Sequence, residues 1–278
     1  MTTIREGEAA VAGSLRIWRQ VGRDTGARAI SLRTLEFGKG VSPRLSNPGC
    51  DEVVYVLEGE GVIAIDGQVY DLEPEMGIYI RPDQTYSVWN PNCEPIVFIS
   101  SQCPEPDSGC DAIDSTGVGL NGLLSGGAIM PADFVRASEG LKSDLPINRH
   151  GMESGTSKAA PVVRLADRKA LPTADRWYRV LVDDEIGCTQ VTQFIGSIPP
   201  GRAPDHFHHY EEVLFILRGE GRMWAGKTNT PISAGSCVFL PRKQIHCVEN
   251  TGTGELRLLG AFYPAGSPAV RYDSDSGS

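Results

Sequence analysis

The sequence predicts an all-β protein made of two similar barrels in tandem, and three observations lead to this class. The segments EVVYVLEGEG, from Glu52, and EVLFILRGEG, from Glu212, share six of their ten residues. Short apolar runs rich in β-branched and aromatic residues recur in both halves, and turn residues bound them. The 32 glycines and 19 prolines suit many short strands joined by tight turns.

The repeat defines two units, an N-terminal one at 14–102 and a C-terminal one at 175–264. Glu52 and Glu212 are 160 positions apart, and so are Asn90 and Asn250, near the end of each unit. A unit that is repeated once predicts two related domains, because a solenoid needs three or more short repeats. The spacing of strand signals predicts a barrel or a sandwich for each.

The long connection at 103–174 has a different composition, with loop-like stretches such as CPEPDSGC. Short helices are expected within PADFVRASEGLK (131–142) and LADRKALPTADRW (165–177). The tail at 265–278 ends in Ser, Asp and Gly, and we expect it to be frayed and without function.

Composition and charge exclude several function classes. The net charge of −9 disfavours nucleic acid and anionic membrane surfaces as partners. There is neither a long apolar stretch nor an apolar leader at the N-terminus, so we expect a cytoplasmic protein without a membrane span. The seven cysteines are odd in number and form no CxxC pair, which predicts reduced thiols and not a disulfide framework.

Three of the five histidines lie within DHFHHYEEVLF, which begins at Asp205. In an extended strand His206, His208 and Glu212 have the same parity, so their side chains can point to one side. A further histidine, His246, follows a second apolar run. Three imidazoles and one carboxylate suit one divalent transition metal; Fe or Mn is favoured, and Ni, Cu or Zn is possible.

These residues carry a resemblance to the cupin superfamily. The pattern G(x)4HxH(x)3E(x)6G resembles the first cupin motif, with four residues after the first Gly where the family usually has five, and G(x)5P(x)4H(x)3N resembles the second. The matching positions are Gly201, His206, His208, Glu212 and Gly219, then Gly235, Pro241, His246 and Asn250. The resemblance implies a bicupin, two tandem jelly-roll barrels, with metal ligands His206, His208, Glu212 and His246. It also makes a homodimer the expected assembly.

Neighbouring residues receive other roles. We expect His209 on the surface or behind a ligand, Glu211 in solvent, and Cys247 as a packed thiol facing away from the metal. Gln193 and Trp224 are candidates for lining the cavity, although we expect both to be ordinary packing residues.

The N-terminal unit is expected to lack the metal site. At the separation of 160 positions, Ser46 replaces His206, Pro48 replaces His208 and Tyr86 replaces His246, while Glu52 keeps the carboxylate. One carboxylate cannot hold a transition ion. This unit is therefore expected to be a structural partner; the alternative is a small organic ligand near Tyr86 and Trp89. Either differs from bicupins such as oxalate decarboxylase, in which both halves look metal-loaded.

The resemblance leaves three functions open, all involving a small molecule. The first is an oxidoreductase of the quercetinase-like dioxygenase type. The second is non-redox metal chemistry, namely hydrolysis, isomerisation or decarboxylation. Ureidoglycine aminohydrolases share the architecture of this second class, but their ligand order differs from the order found here. The third is a binding protein without catalysis. We expect the dioxygenase, and the sequence assigns neither a general base nor a substrate.

Overall fold

The computed structural model describes residues 1–104, 160–173 and 175–270, together with the backbone of a two-residue strand at 112–113. Two antiparallel barrels form, and the predicted all-β class with two tandem jelly-roll barrels is confirmed. The N-terminal half contains β1 (Thr2–Thr3), β2 (Ala10–Ala12), β3 (Leu15–Val21), β4 (Leu32–Phe37), β5 (Gly40–Val41), β6 (Leu45–Ser46), β7 (Asp51–Glu58), β8 (Gly61–Ile65), β9 (Gln68–Leu72), β10 (Met76–Ile80), β11 (Thr85–Asn90) and β12 (Ile96–Cys103).

The second half repeats this order of strands. The connection contributes β13 (Ala112–Ile113), β14 (Val162–Arg164) and β15 (Leu171–Thr173). The C-terminal barrel contains β16 (Arg176–Val182), β17 (Thr192–Ile198), β18 (Gly201–Arg202), β19 (Glu211–Arg218), β20 (Glu220–Ala225), β21 (Thr228–Ser233), β22 (Ser236–Leu240), β23 (His246–Asn250) and β24 (Leu256–Tyr263). Short 3-10 helices lie at Arg23–Thr25, Leu165–Asp167 and Asp184–Ile186.

Two sheets build each barrel. In the N-terminal barrel their strand orders are β14-β10-β7-β12-β4-β3-β2 and β13-β6-β11-β8-β9, with β5 beside β11. In the C-terminal barrel they are β1-β22-β19-β24-β17-β16-β15 and β18-β23-β20-β21. Segments outside the two repeated units therefore add strands to both barrels. β1, from the start of the chain, pairs with β22, and β14, from the connection, pairs with β10.

The repeated GEG sequences form the turns between β7 and β8 and between β19 and β20. Gly219 has φ +86, and a Cβ there would lie 2.8 Å from the Cα of Leu256. At Gly221 a Cβ would overlap the carbonyl oxygen of Glu249 on the neighbouring strand. Gly59 and Gly61 meet the same restrictions in the N-terminal barrel. The similarity between the two halves thus marks positions where only glycine allows the strands to approach.

Buried apolar side chains form three large cores, one inside each barrel and one between them, and a small fourth cluster around Val62 and Ala64 of β8. The core between the barrels takes residues from both halves, including Val53, Tyr55 and Ile99 on one side and Val213, Phe215 and Leu259 on the other. Strands β7, β12, β19 and β24 are consequently buried on both faces. The N-terminal barrel therefore covers one side of the barrel that carries the histidines.

The expectation about the connection is met in part, and the one about the cysteines needs correction. The short helix expected within 165–177 is a three-residue 3-10 helix at Leu165–Asp167. The rest of this stretch forms β15 and the start of β16, since Pro172 lies in an edge strand and cannot continue a helix. The stretch 131–142 lies outside the described residues. Cys50 is disulfide-bonded, so the prediction of reduced thiols is wrong at this position. That prediction rested on cysteine count and compartment, which carry no information about local geometry.

Within the described ranges, no helix is long and apolar enough to cross a membrane.

Glu211 was expected in solvent, and this expectation is wrong. Its side chain is buried and accepts hydrogen bonds from the backbone N–H groups of Arg28 (2.9 Å) and Ala29 (2.7 Å). These donors belong to the N-terminal half, so the carboxylate of Glu211 links the two barrels. Glu212 is the next residue in the same strand. Sequence parity placed Glu211 on the outer face of its barrel, and that face is covered by the other barrel.

We therefore predict that Glu211→Ala lowers the free energy of unfolding by about 2 kcal/mol, because two N–H groups lose a charged acceptor. Chemical denaturation measures the loss. The matched control is Glu220→Ala, since Glu220 is exposed on the same barrel, and its effect should stay within about 0.5 kcal/mol. Equal midpoints for the two variants would contradict a stabilising contact between the barrels.

Candidate metal centre

The three histidines of the two motif windows converge inside the C-terminal barrel. One ligand atom from each of His206, His208 and His246 lies within 4.8 Å of the others. His206 and His246 face each other as a β-bridge, with His246 N–H donating to His206 O (2.8 Å) and His206 N–H to His246 O (3.0 Å). The bridge fixes the separation of two imidazoles that lie 40 positions apart in the sequence.

Backbone carbonyl groups select the tautomer of two of these rings. The Nδ1 atom of His206 lies 3.0 Å from the carbonyl oxygen of Pro204, and that of His246 lies 2.7 Å from the carbonyl oxygen of Gln244. A carbonyl oxygen only accepts, so each Nδ1 carries the proton and each Nε2 keeps its lone pair. Burial also lowers the pKa of His246 to about 4, which keeps this imidazole neutral near pH 7.

The ring of His208 is oriented by aromatic stacking. It lies parallel to the ring of Tyr210, with a centroid distance of 4.7 Å and an interplanar angle of 10°. Tyr210 in turn stacks on Phe262 at 4.5 Å. His208 is therefore held by a column of rings that reaches the barrel core.

Glu212 lies beside His208. Its Oε2 atom is 3.4 Å from Nε2 of His208, and its side chain is 7 % exposed. Burial raises the pKa of this carboxyl to about 8. A buried carboxyl group next to an imidazole nitrogen fits a bound cation, because the cation would supply the missing positive charge. The three histidines thus fit a divalent ion by type and position, and two of them by tautomer. Glu212 lies outside the group of three whose ligand atoms lie within 4.8 Å of one another, and it contacts that group through His208.

This pKa predicts a proton release. Since Glu212 is mostly protonated below pH 8 when the histidines hold no ion, metal binding should displace its proton and strengthen between about pH 6 and pH 9. His246, with its pKa of about 4, should contribute no proton in this range. Calorimetric titration with Mn²⁺ in buffers of different ionisation enthalpy counts the protons. We expect a value approaching one near pH 7, and little release in Glu212→Gln. A wild type that releases no proton would contradict the raised pKa.

The four residues line one small cavity of about 120 Å³. Its remaining wall is largely apolar, with Phe194, Ile198, Leu214, Leu240, Val248 and Leu258. Arg176 and Tyr178 of β16 also line it, and so does Pro268. Pockets for drug-sized ligands measure about 300–1,000 Å³, so this cavity suits a much smaller molecule.

Some residues that the sequence singled out lie elsewhere. Phe194 and Gly196 of β17 face the cavity, so Gln193 has the opposite parity and is buried outside the barrel interior. Trp224 also lies outside; its Nε1–H donates to Glu249 (2.8 Å), and the Arg202 guanidinium covers its ring at 4.2 Å.

Two expectations agree with the structure and one does not. His209 is exposed, and Cys247 is a buried thiol that accepts from Nε–H of Arg202 (3.2 Å), facing away from the metal ligands. The start of the tail is fixed to the barrel and contributes Pro268 to the cavity wall, so the expectation of a frayed segment is wrong there. The expectation that the tail has no function stays a prediction. Residues 271–278 lie outside the described range.

In the N-terminal barrel, a guanidinium group lies against the carboxylate that corresponds to Glu212. Nη2 of Arg33 lies 2.6 Å from Oε1 of Glu52, and these side chains are 3 % and 0 % exposed. Ser100 and Asn47 also donate to Glu52, and the Tyr86 hydroxyl lies 3.3 Å from Oε2. A protein cation therefore balances this carboxylate, which is how a buried charge is tolerated.

Strand pairing corrects the sequence alignment of the two barrels. Tyr86 pairs with Leu45 just as His246 pairs with His206, and Asn47 contacts the N-terminal carboxylate as His208 contacts Glu212. Tyr86 therefore takes the place of His246, as predicted. The other two predicted equivalents are wrong by one residue, since Leu45 and Asn47 stand where Ser46 and Pro48 were expected. The segment from Leu45 to Glu52 is one residue longer than its counterpart, which shifted the alignment.

With this geometry established, comparison with known proteins identifies the family. The model of the cupin domain matches residues 31–101 and 194–262, which together make up just over half of the chain. The chain belongs to the cupin family. Both cupin barrels are matched, including the one in which Arg33 lies against Glu52.

Curated relatives match shorter stretches of this bicupin. Auxin-binding protein 1 of Arabidopsis thaliana is 31% identical over 83 residues, which are 26% of this chain and 42% of that protein. The oxalate-binding protein of Thermotoga maritima is 35% identical over 68 residues, 24% of this chain and 56% of that protein. The matches thus span about half the length of these two relatives.

A solved structure resembles the bicupin over nearly its whole length. Lactobacillus farciminis oxalate decarboxylase, in a complex with formate, gives a TM-score of 0.67 with 14% identity and covers 95% of this chain and 85% of its own. At this identity the likeness establishes the fold with its two barrels and no activity.

Proposed function

We propose that this bicupin is a metal-dependent enzyme that acts on a small carboxylic acid through the C-terminal barrel, with decarboxylation as the reaction. The observation that carries the proposal is one small cavity lined by three histidines, Glu212 and Arg176. His206, His208, Glu212 and His246 would hold one divalent ion, with Mn or Fe favoured. The ion would act as a Lewis acid toward the substrate's oxygen atoms.

Cavity size and the relatives favour this non-redox alternative over the dioxygenase expected from the sequence. A volume of about 120 Å³ suits a molecule of a few heavy atoms and not a polyphenol. The similar proteins named for a small acid are an oxalate-binding protein and oxalate decarboxylases. The comparisons therefore give the dioxygenase prediction no support.

Charge in the cavity favours an anionic ligand. A divalent ion and ionised Glu212 together carry one net positive charge, and Arg176 adds a second that the exposed Asp175 offsets only from the solvent side. The Arg176 side chain is 12 % exposed and pairs with Asp175, on the solvent side, at 3.3 Å. In low-dielectric surroundings, two positive groups bind a carboxylate more strongly than they would in water.

Residues of the cavity wall would bind the substrate and exclude water from it. Arg176 would bind and orient the substrate's carboxylate, and Trp177 and Tyr178 of the same strand also line the cavity. Leu214, Leu240 and Leu258 would exclude water from the reacting carbon.

The test measures carbon dioxide release by Mn²⁺-loaded protein from oxalate and other short carboxylic acids. We expect release by the wild type, and in Arg176→Gln a KM at least ~10-fold higher, because a charged hydrogen bond is lost. Arg222→Gln is the control, since Arg222 is exposed on β20 and does not line the cavity. The proposal would be refuted if the protein neither released carbon dioxide from any acid in the panel nor bound any of them.

One specific observation favours a second candidate, binding without turnover: the similarity to an oxalate-binding protein. Stoichiometric binding without carbon dioxide release, weakened by Arg176→Gln, would select this candidate.

The homodimer remains a proposal. β9 and β21 are edge strands through which two copies could pair, and light scattering measures the oligomeric state. The cytoplasmic location also remains a prediction.

A further inference from the structure

A second cavity lies next to the one that holds the metal ligands. Its volume is about 460 Å³, and its wall includes Leu171, Val180, Asp183, Asp184 and Thr192. Among the described residues, Tyr178 and Pro268 line both cavities. These two side chains therefore stand between the small cavity and a larger space.

Tyr178 supplies the bulk on the β16 side. It pairs with Leu171 of β15 and with Gly196 of β17, and its ring packs against the core of the C-terminal barrel. Gly196 has no side chain to fill this part of the wall, and a Cβ there would lie 3.2 Å from Cδ1 of Leu258. The tyrosine ring is consequently the bulky group at this strand pair.

Pro268 belongs to a segment that is fixed to the barrel. The Thr192 hydroxyl donates to the carbonyl oxygen of Gly266 (3.0 Å) and accepts from its N–H (3.1 Å). Val270 N–H donates to the carbonyl oxygen of Ser267 (3.1 Å), which closes a turn around the proline. These bonds hold Pro268 against β17, whose Phe194 and Gly196 face the metal ligands.

From this arrangement we infer that Tyr178 and Pro268 set the maximum length of the acid that reaches the metal centre. The inference rests on the proposed function and adds the residues that determine specificity by size. Acids of one to three carbons fit in front of the pair, and longer chains collide with it. Without the tyrosine ring, an alkyl chain would extend into the second cavity. Asp183 and Asp184 line that cavity, so a chain with a second carboxylate would gain less than an uncharged one.

The experiment compares the affinity of Mn²⁺-loaded protein for acetate, butyrate and hexanoate by calorimetry. In the wild type we expect affinity to fall with chain length. In Tyr178→Ala, the affinity for hexanoate relative to acetate should rise at least ~10-fold, because the added methylene groups become buried. Tyr178→Phe keeps the ring and should keep the wild-type ratio of hexanoate to acetate affinity. Pro268→Gly opens the wall from the other side and should move the ratio in the direction of Tyr178→Ala.

Metal content confirms that each variant retains the folded centre. Ratios equal to the wild-type ratio in both Tyr178→Ala and Pro268→Gly would overturn the inference. A parallel series of alkyl hydroxamates separates it from the proposed function, since hydroxamates chelate divalent ions whether or not the protein prefers carboxylates. If the wild type binds no carboxylate, the proposed function fails, and the length dependence of the hydroxamates alone decides the role of the pair.

Discussion

Replacing His246 with alanine is expected to reduce bound metal from roughly one ion per chain to less than a tenth of that amount. The variant loses one of three imidazoles, the one whose ring centroid lies 4.5 Å from that of His206. The remaining nitrogens and Glu212 could still contact an ion, but with fewer ligands and a less fixed geometry. Elemental mass spectrometry of protein purified without added metal measures the change and identifies the ion.

The matched control for this prediction is His209→Ala. His209 belongs to the same cluster in the sequence, but it is exposed and its ring contacts Phe207, so the metal content should stay at the wild-type value. Undiminished metal in His246→Ala would refute the ligand set. One Zn per chain in the wild type would keep the centre and move the expected chemistry toward hydrolysis or isomerisation.

The second large effect is expected in the N-terminal barrel, where Arg33→Met should lower the free energy of unfolding by about 3–5 kcal/mol. The substitution keeps the aliphatic volume and removes the guanidinium 2.6 Å from Glu52, which leaves a buried carboxylate without its counter-ion. The double variant with Glu52→Gln should recover part of the loss, since both charges are then absent. Chemical denaturation of the four proteins in this cycle gives the coupling energy.

An exposed ion pair provides the control for Arg33→Met. Arg16 lies 3.1 Å from Glu36, but its side chain is 57 % exposed, so Arg16→Met should cost less than about 1 kcal/mol. If Arg33→Met proved as mild as Arg16→Met, the buried pair would not be what stabilises the interior of this barrel.

Local patterns in the sequence predicted the all-β fold and the set of metal ligands. Alternating parity placed His206, His208 and Glu212 on one side, and the turn glycines marked where strands approach closely. Both signals are short-range, because they depend on residues a few positions apart. Both signals can therefore be recognised without knowing how the two barrels pack against each other.

Long-range contacts were beyond the reach of these patterns. Glu211 is buried because the other barrel covers it, and its donors lie more than 180 positions away. Arg176 and Tyr178 reach the cavity through the register of β16 against β17, which no local motif specifies. The single extra residue before Glu52 moved two of the predicted equivalents, since a shift of one position reverses the side of a strand.

The pairing of strands that lie far apart in the sequence determines when each barrel can be completed during synthesis. The N-terminal sheet is complete once β14 has left the ribosome, whereas β1 must wait for β22, because Thr2 lies opposite Cys237. β1 is thus synthesised long before the strand with which it pairs. A fragment that begins after the connection would lack β1 altogether. Its β22 would present an unpaired row of backbone donors and acceptors, and such an edge promotes aggregation.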